Sequence, residues 1–574
     1  MTASAAAPPR PRTRWILPEP PDPALVRALC DELLLPEPIC RLLALRGHGD
    51  VEQAKRYLRP RLEQLLPPEQ MLDLAEAVDR LVRGIRDGET ILIHGDYDVD
   101  GMCSTTLLLR AFGALGGKAV PFIPHRSAGY DLGETGVQAA LDARATIVVT
   151  CDCGTSAVTP VAALREHGVD VIITDHHLPG GDLPNAFAVL NPRQPGCQSA
   201  DKDLAAVGVG FKLALAVTRA MGGNENFVFG MLDLVALATI ADIAPLRGEN
   251  RVFARFGLKM LSETRNLGLR ALIRAAGLDG KPLTAGRVGY ILAPRLNAVG
   301  RLGHALRGVE LLTATSEHEA NSIARELEEL NQRRQDIDRR VLDEAASLVR
   351  RMDLDETFGI VLAGDGWHPG VIGIVASRLV EEFGRPTILI GLEGDEGKGS
   401  GRSISRFDLH AGIGRCRHLL KRFGGHRSAA GVTIARDMVS EFARCFNEAA
   451  RAALTPDDLV PELRVDLEVE LSDLTPGFET LLKHLEPCGV GNPSPMFLTR
   501  GVHLAAPPRV VGKQGLKLRI ETESGEPLEA IGWTLGPRIR ELDLSRPFDI
   551  AYRLERDEYQ GVSRLQARLS DFRV

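Results

Sequence analysis

Four short apolar runs in this chain each stop at acids or histidines: IleLeuIleHisGlyAspTyrAspValAspGly (91–101), IleValValThrCysAspCysGly (147–154), ValIleIleThrAspHisHis (171–177) and LeuAlaThrIleAlaAspIle (237–243). Such Val- and Ile-rich runs suit strands buried on both faces, which requires a parallel sheet with helices on each side. In open sheets of this kind, ligands bind beyond the carboxyl ends of the strands. Asp98, Asp100, Asp152, Asp175 and Asp242 all read as standing at such ends, so folding is expected to gather several carboxylates. At about 4 Å and an effective dielectric near 20, each like-charge pair costs roughly 4 kcal/mol. Protonation or a divalent cation relieves that cost. His176 and His177 add imidazole, which suits Mn²⁺ or Zn²⁺ better than Ca²⁺, while the carboxylate majority suits Mg²⁺ or Mn²⁺. The pattern predicts a metal centre at one edge of a parallel sheet.

Each cluster alone has a blander explanation. Asp96, Asp98, Asp100 and Gly101 match the first half of an EF-hand loop, but its twelfth position falls on Leu107 and a strand precedes it. Asp152 alone reads as a helix cap, AspHisHis as a solvated loop and Asp242 as a turn acid. Four clusters in succession are what favour the metal.

Nothing in the composition points elsewhere. The chain has 574 residues, 44% apolar and 25% charged, room for three or four domains. No apolar stretch is long enough to span a bilayer and the first residues lack a hydrophobic signal core, so a cytoplasmic protein without a membrane partner is expected. Nine scattered cysteines without C-x-x-C pairs read as reduced packing residues. The net charge of −7 argues against a protein coated in nucleic acid, yet residues 398–427 carry eight Lys or Arg against one acid, Asp408. That local excess can grip phosphates.

Along the chain, residues 1–20 read as disordered and 21–88 as a helical segment. Strands at 90–94, 118–123, 146–151 and 169–174 alternate with helices at 101–115, 134–144 and 157–168, the pattern of a doubly wound sheet within residues 89–315. A charge-laced helix over 316–352 then connects to a second α/β domain, 353–453. After a linker at 454–461, short β runs from 462 to 574 predict a small OB-like β-barrel, a fold that binds single strands on one face. The expected class is thus α/β: two α/β domains joined by a long helix, with an OB-like barrel behind them.

These clusters, in this order, resemble the DHH phosphoesterase superfamily, whose signature is the AspHisHis at 175–177. GlyGlyHisArgSerAlaAlaGly (424–431) resembles the motif of its companion domain, DHHA1. Further segments are similar to the single-strand-specific exonucleases of that superfamily: ProArgLeuAsnAlaValGlyArgLeuGlyHisAla (294–305), TrpHisProGlyValIleGlyIleValAlaSerArg (367–378), GlySerGlyArgSerIle (399–404) and GluProCysGlyValGlyAsnProSerPro (486–495). The likeness spans roughly residues 35–574. Pro369, Cys488, Asp131 and Gly515 depart from the habit of those proteins, which favour Glu, Phe, Gly and His there.

The resemblance implies a two-ion phosphodiesterase cutting single-stranded DNA from its 5′ end to mononucleotides, in recombination and repair. It implies Asp98, Asp100, Asp152, His176 and Asp242 as ligands of a Mn²⁺ or Mg²⁺ pair, with Asp152 bridging. His94 and Asp96 would touch the ions or stand just behind them, His177 would face the phosphate as part of the catalytic set, and Asp175 would orient the neighbouring imidazole. Arg378, Ser400, Arg402 and His426, on loops of the second domain, and Arg295, Asn297 and Arg301 would contact the nucleic acid. The partners it implies are single-stranded DNA, a single-strand-binding protein and a helicase. Two alternatives are a DHH phosphodiesterase acting on short oligoribonucleotides or cyclic dinucleotides, and a non-enzymatic DHH scaffold. The C-terminal β region disfavours the first, and the intact set of acids disfavours the second.

Overall fold

A computed structural model describes residues 13–126, 129–523, 525–559 and 562–574. The chain divides into two compact units: Asp50–Gln332 with Leu481–Ser494, and the segments up to Gly49, Arg333–Thr480 and Pro495–Val574. Among the described residues no helix is long and apolar enough to cross a membrane.

The first unit is built on five parallel strands, β1 (Thr90–Gly95), β2 (Lys118–Phe122), β3 (Ile147–Cys151), β4 (Asp170–Thr174) and β5 (Ala188–Leu190), in the order β2-β1-β3-β4-β5. Successive residues point to opposite faces, and both faces are covered. Ile91, Ile93, Ile147, Val149 and Ile172 enter one apolar core, whereas Leu92, Val148, Val171 and Ile173 enter another. The strand order reverses between β1 and β3, which fixes the ligand-binding edge beyond Gly95 and Cys151. Helices α1 (Val99–Ala114), α2 (Ala206–Ala220), α3 (Leu232–Ala241), α4 (Gly248–Ser262) and α5 (Ala293–Leu302) follow in chain order.

The fourth apolar run is not a strand. Residues 232–241 form α3, and Asp242 sits at its C-terminal end. Residues Leu232 to Thr239 are all buried. A helix buried on every side carries no amphipathic stripe, so periodicity could not separate it from a buried strand.

The 33-residue α6 (Glu317–Val349) is roughly 50 Å long. Its first half gives Ala320, Ile323, Ala324 and Leu327 to one core, and its second half gives Val341, Ala345, Ala346 and Val349 to another.

In the second unit, a mixed sheet runs β9-β10-β8-β7-β6, from β6 (Ile360–Asp365), β7 (Thr387–Glu393), β8 (Glu396–Arg402), β9 (Arg422–Gly425) and β10 (Ala429–Ala435). Leu389 faces the core of α7 (Pro369–Phe383), while Ile388 and Ile390 face Phe442 and Phe446 of α8 (Val439–Ala453). A seven-stranded sheet follows, β11 (Leu467–Glu468), β12 (Phe497–Val502), β13 (Arg509–Val511), β14 (Gly515–Ile520), β15 (Leu528–Gly532), β16 (Phe548–Tyr559) and β17 (Val562–Arg573), ordered β11-β12-β16-β17-β15-β14-β13. This sheet is the OB-like element.

Two expectations need correction. Residues 1–12 lie outside the described residues, but Arg14–Ile16 is ordered: it pairs in parallel with Glu462–Arg464, at the start of the β region just behind the segment read as a linker. Trp15 explains why, because its ring is buried against Val465, Met496, Leu498 and Ala551 and its Nε1 donates to Asp571 Oδ2 at 2.7 Å. Cys416 and Cys445 form a disulfide, with Cα atoms 6.1 Å apart, where reduced packing residues were expected.

Candidate metal centre

The loop after β1 starts from a glycine constraint. A Cβ on Gly101 would lie 2.4 Å from the Asp96 carbonyl oxygen, so only glycine lets α1 begin this close to the strand end. Asp98 caps α1, its Oδ1 accepting from the Asp100 and Gly101 amides at 2.9 and 3.2 Å. After β3, Asp152 takes the left-handed backbone (φ 63). Its amide donates to the Thr174 carbonyl at 3.0 Å. Left-handed non-glycine positions recur here, at Asp131 (φ 83) and Ile243 (φ 62), as expected where the surrounding structure holds strain at a site.

Seven donors converge. Asp152, His176 and His177 have ligand atoms within 4.8 Å of one another, as do Asp100, His176 and Asp242, and Asp96, Asp98 and Asp152. Asp152 and His176 each belong to two of these groups. His176 Nε2 lies 3.3 Å from Asp152 Oδ1 and 3.7 Å from Asp242 Oδ2. Among the described residues, neither His176 Nε2, Asp152 Oδ1 nor Asp96 Oδ1 has a hydrogen-bond partner, and all three are buried. Buried polar atoms are normally satisfied. Orphaned oxygens facing an orphaned nitrogen are satisfied by a cation, so the donor set fits a divalent ion.

Electrostatics agree. Burial, together with the neighbouring carboxylates, pushes Asp96 and Asp152 well above the usual carboxylate range, Asp100 up to about 7 and Asp242 up to about 8. Burial and the charge on His177 lower His176 to about 4, leaving it neutral, the form that ligates metals. Burial works against charge on His177 also, but the Asp175 carboxylate outweighs it and raises the imidazole to about 9.

Asp175 itself is occupied by protein. Its oxygens accept from the amides of Thr155, His176 and His177, and Oδ1 lies 2.7 Å from His177 Nδ1. Burial would raise its pKa, yet the bond and charge of His177 hold it far below the usual range. His94 is fully buried, lowered by burial to about 4, with Nδ1 3.5 Å from Cys153 Sγ, and lies in none of the three groups.

Tyr130 and Arg126 at this edge escaped the sequence reading, and Asp131 entered it only as a departure from family habit. The Tyr130 hydroxyl donates to the Asp152 carbonyl at 2.8 Å and sits 3.2 Å from the His177 ring nitrogens. Arg126 stacks over the Tyr97 ring at 4.6 Å. Asp131 accepts from the Gly154 amide at 2.6 Å, and its φ of 83 is a backbone conformation that glycine adopts freely. Their only signal was position, just beyond β2 at the same sheet edge.

The expected nucleic-acid contacts divide. Ser400 and Arg402 lie on strand β8 and Arg378 on α7, not on loops. Alternate glycines hid the strand: a Cβ on Gly399 would lie 2.5 Å from Val432 Cγ2, so its core face must be bare. Arg402 Nη1 is 3.1 Å from Ser400 Oγ, and a Cβ on Gly373 would strike both side chains, leaving a small polar cradle. His426 is exposed at the β9–β10 turn. Arg378 instead pairs with buried Asp338 at 3.0 Å, and Arg295 spends its donors on Glu328 and the Ile291 carbonyl. Asn297 and Arg301 share a face of α5, whose Gly300 packs against the Tyr97 carbonyl.

A doubly wound sheet ending in an Asp and His cluster of this geometry is the architecture of a DHH-type phosphoesterase. Residues 90–239 match the DHH family, N-terminal domain, residues 356–452 the DHHA1 domain and residues 465–571 the RecJ OB domain. The chain is 34% identical over 553 residues to the single-stranded-DNA-specific exonuclease RecJ of Escherichia coli K12, covering 93% of this chain and 95% of that protein. It is 38% identical over 529 residues to RecJ of Bacillus subtilis 168, covering 92% of this chain and 66% of that longer protein. A crystal structure of Thermus thermophilus RecJ with Mn²⁺ superposes with a TM-score of 0.85 at 32% identity, covering 98% of this chain and 80% of that one. The chain belongs to the RecJ family.

Proposed function

We propose that this chain is a metal-dependent exonuclease that hydrolyses single-stranded DNA from the 5′ end to mononucleotides. The observation that carries the proposal is the convergence of seven Asp and His donors, several with orphaned buried atoms, at the switch point of a parallel sheet. Asp98, Asp100, Asp152, His176 and Asp242 would hold two Mn²⁺ or Mg²⁺ ions, Asp152 being shared. Bound there, such ions supply Lewis-acid polarisation of a phosphodiester and favour ionisation of the attacking water. His177, kept cationic by Asp175, is placed to face a phosphate oxygen. Asp175 orients that ring and binds no ion. Ser400 and Arg402 form an anion cradle, since a guanidinium fork beside a hydroxyl matches phosphate oxygens. Asn297 and Arg301 position the nucleotide beside Tyr97.

In this reading residues 89–315 carry the chemistry, 353–453 hold phosphates and 462–574 hold the single strand. Trp533, 60% exposed on the OB-like region, offers a stacking face for a base. A cytoplasmic setting, with a single-strand-binding protein and a helicase as partners in recombination and repair, completes the proposal.

The test is digestion of 5′- and 3′-labelled single and double strands with Mn²⁺, Mg²⁺ or chelator. Mononucleotide release from the 5′ end of single strands, abolished by chelator, is expected. Intact single strands in both metals, or cleavage that survives chelation, would overturn it.

A further inference from the structure

We propose that Asn250 is a positioning residue for the metal centre, because its carboxamide fastens the turn that holds Asp100 to the loop that follows Asp242. The inference rests on the metal reading above and goes past the ligands to what aims them.

Within its own helix the Asp100 carboxylate has only Ser104 Oγ, at 3.4 Å from Oδ1. Its Oδ2 and Oδ1 accept from the Ala206 and Val207 amides, both at 2.9 Å, more than a hundred residues away in sequence. Those amides open α2, whose N-cap is Ala205, a residue with no side-chain acceptor to offer. The first amides of a helix need an acceptor and favour a negative one. Asp100 therefore caps a remote helix, and the position of the α2 first turn, through two bonds shorter than the one from Ser104, chiefly decides where that carboxylate points.

That first turn is set by Asn250, a fully buried side chain. Its Oδ1 accepts from the Ala205 amide at 3.4 Å, and its Nδ2 donates to the Asp203 carbonyl at 2.5 Å. The same Nδ2 reaches the Pro245 carbonyl at 3.2 Å, three residues beyond Asp242. One carboxamide thus spans the turn behind Asp100 and the loop behind Asp242. A second strap lies beside it: Asp201 accepts from the Asp203 amide at 3.1 Å and from the Glu249 amide at 2.7 Å. A Cβ on Gly248, itself at φ 46, would meet Asp201 Oδ2 at 2.3 Å, so the two segments touch without spare room.

The neighbours of Asn250 are engaged elsewhere. Glu249 accepts from Leu66 N and Lys212 Nζ, and Arg251 donates to the carbonyls of Tyr57, His484, Leu485, Glu486 and Pro487. Asp100 and Asp242 meet in one of the three ligand groups, where their carboxylates repel once an incoming ion has displaced the protons they hold. A neutral side chain that joins the two supporting loops resists that repulsion without adding charge, keeping the pocket narrow enough for an ion to bridge. Groups that orient metal ligands from behind typically change affinity by about 10–100-fold when removed.

The full chain is titrated with Mn²⁺ after chelation, free ion being counted by its EPR signal. Asn250→Ala and Asn250→Asp are compared with wild type and with Asn266→Ala, which removes a buried helix cap in the same unit. The expected result is Mn²⁺ affinity weakened about tenfold or more in both Asn250 variants, and unchanged in Asn266→Ala despite its own loss of thermal stability. Hydrogen exchange at Ala206 and Val207 reads the same claim without added metal; it is expected to quicken in the Asn250 variants. Wild-type affinity in a folded Asn250→Ala protein, or unchanged exchange at those amides, overturns the positioning role alone. A wild type that binds no Mn²⁺ overturns the metal reading itself.

Discussion

With every divalent ion chelated, the Asp50–Gln332 unit should lose stability as pH rises from 6.5 to 8. Asp100 and Asp242 stand at about 7 and about 8 in the fold against an ordinary 3.8. Stability from a raised acid is complete below 3.8 and is lost as pH climbs to the folded value. His94 and His176, lowered to about 4 from 6.5, work in the opposite direction, but their contribution is mostly in place by 6.5. Between 6.5 and 8 the raised acids therefore dominate, the two histidines gaining back only the half-titrated remainder of their contribution. Across that interval, Asp242 and Asp100 together give up about 2 kcal/mol net of the histidines, and the raised Asp96 and Asp152 act with the same sign. His177 titrates with the same sign, but its side chain is 43% exposed and solvent screens its share. At about 2 °C per kcal/mol for a unit of this size, the midpoint should fall by roughly 4 °C. Scanning calorimetry at both pH values, in chelator and in saturating Mn²⁺, measures this. The midpoint gained from Mn²⁺ should be larger at pH 8, because the ion replaces protons the pocket would otherwise keep. A chelated midpoint that stays level or rises, or a Mn²⁺ gain equal at both pH values, would refute the reasoning.

Asp152→Asn should abolish hydrolysis and reduce bound Mn²⁺ while leaving single-strand binding nearly intact; EPR counting and a filter-binding assay check both halves. Arg402→Ala should weaken strand binding and reduce the slope of log affinity against log salt by about 0.7, one phosphate's worth on a single strand, and an unchanged slope would remove Arg402 from the phosphate path. Trp15→Ala should cost roughly 3–5 kcal/mol by cavity formation, whereas Trp15→Phe should cost about 1 kcal/mol for the lost bond to Asp571, both read by urea unfolding of the unit that carries the C-terminal sheet.

The parallel sheet and its ligand edge were legible because β1, β3 and β4 are apolar on both faces and end where their polar residues begin. The Asp242 run was misassigned for the same reason, since α3 is buried all round and periodicity carries no information there. Strand β8 was missed because its inward face is Gly397, Gly399 and Gly401, a strand written without side chains. Arg14–Ile16 was taken for disorder because its partner, Glu462–Arg464, is remote in sequence, and only Trp15 hints at burial. Roles played by backbone are the least legible: nothing in the identities of Ala206 and Val207 says that their amides receive Asp100. Arg295 and Arg378 show the converse, because a phosphate-binding residue type does not reveal that Glu328 or Asp338 already holds it.

The bond from Trp15 to Asp571 joins positions 556 residues apart. At 5–20 residues per second, a ribosome needs roughly half a minute to two minutes to travel that far. Through that interval the indole has been made and its carboxylate partner has not. The newborn chain must keep an aromatic side chain and an unpaired strand available until Glu462–Arg464 and then the strand that carries Asp571 have emerged to receive them.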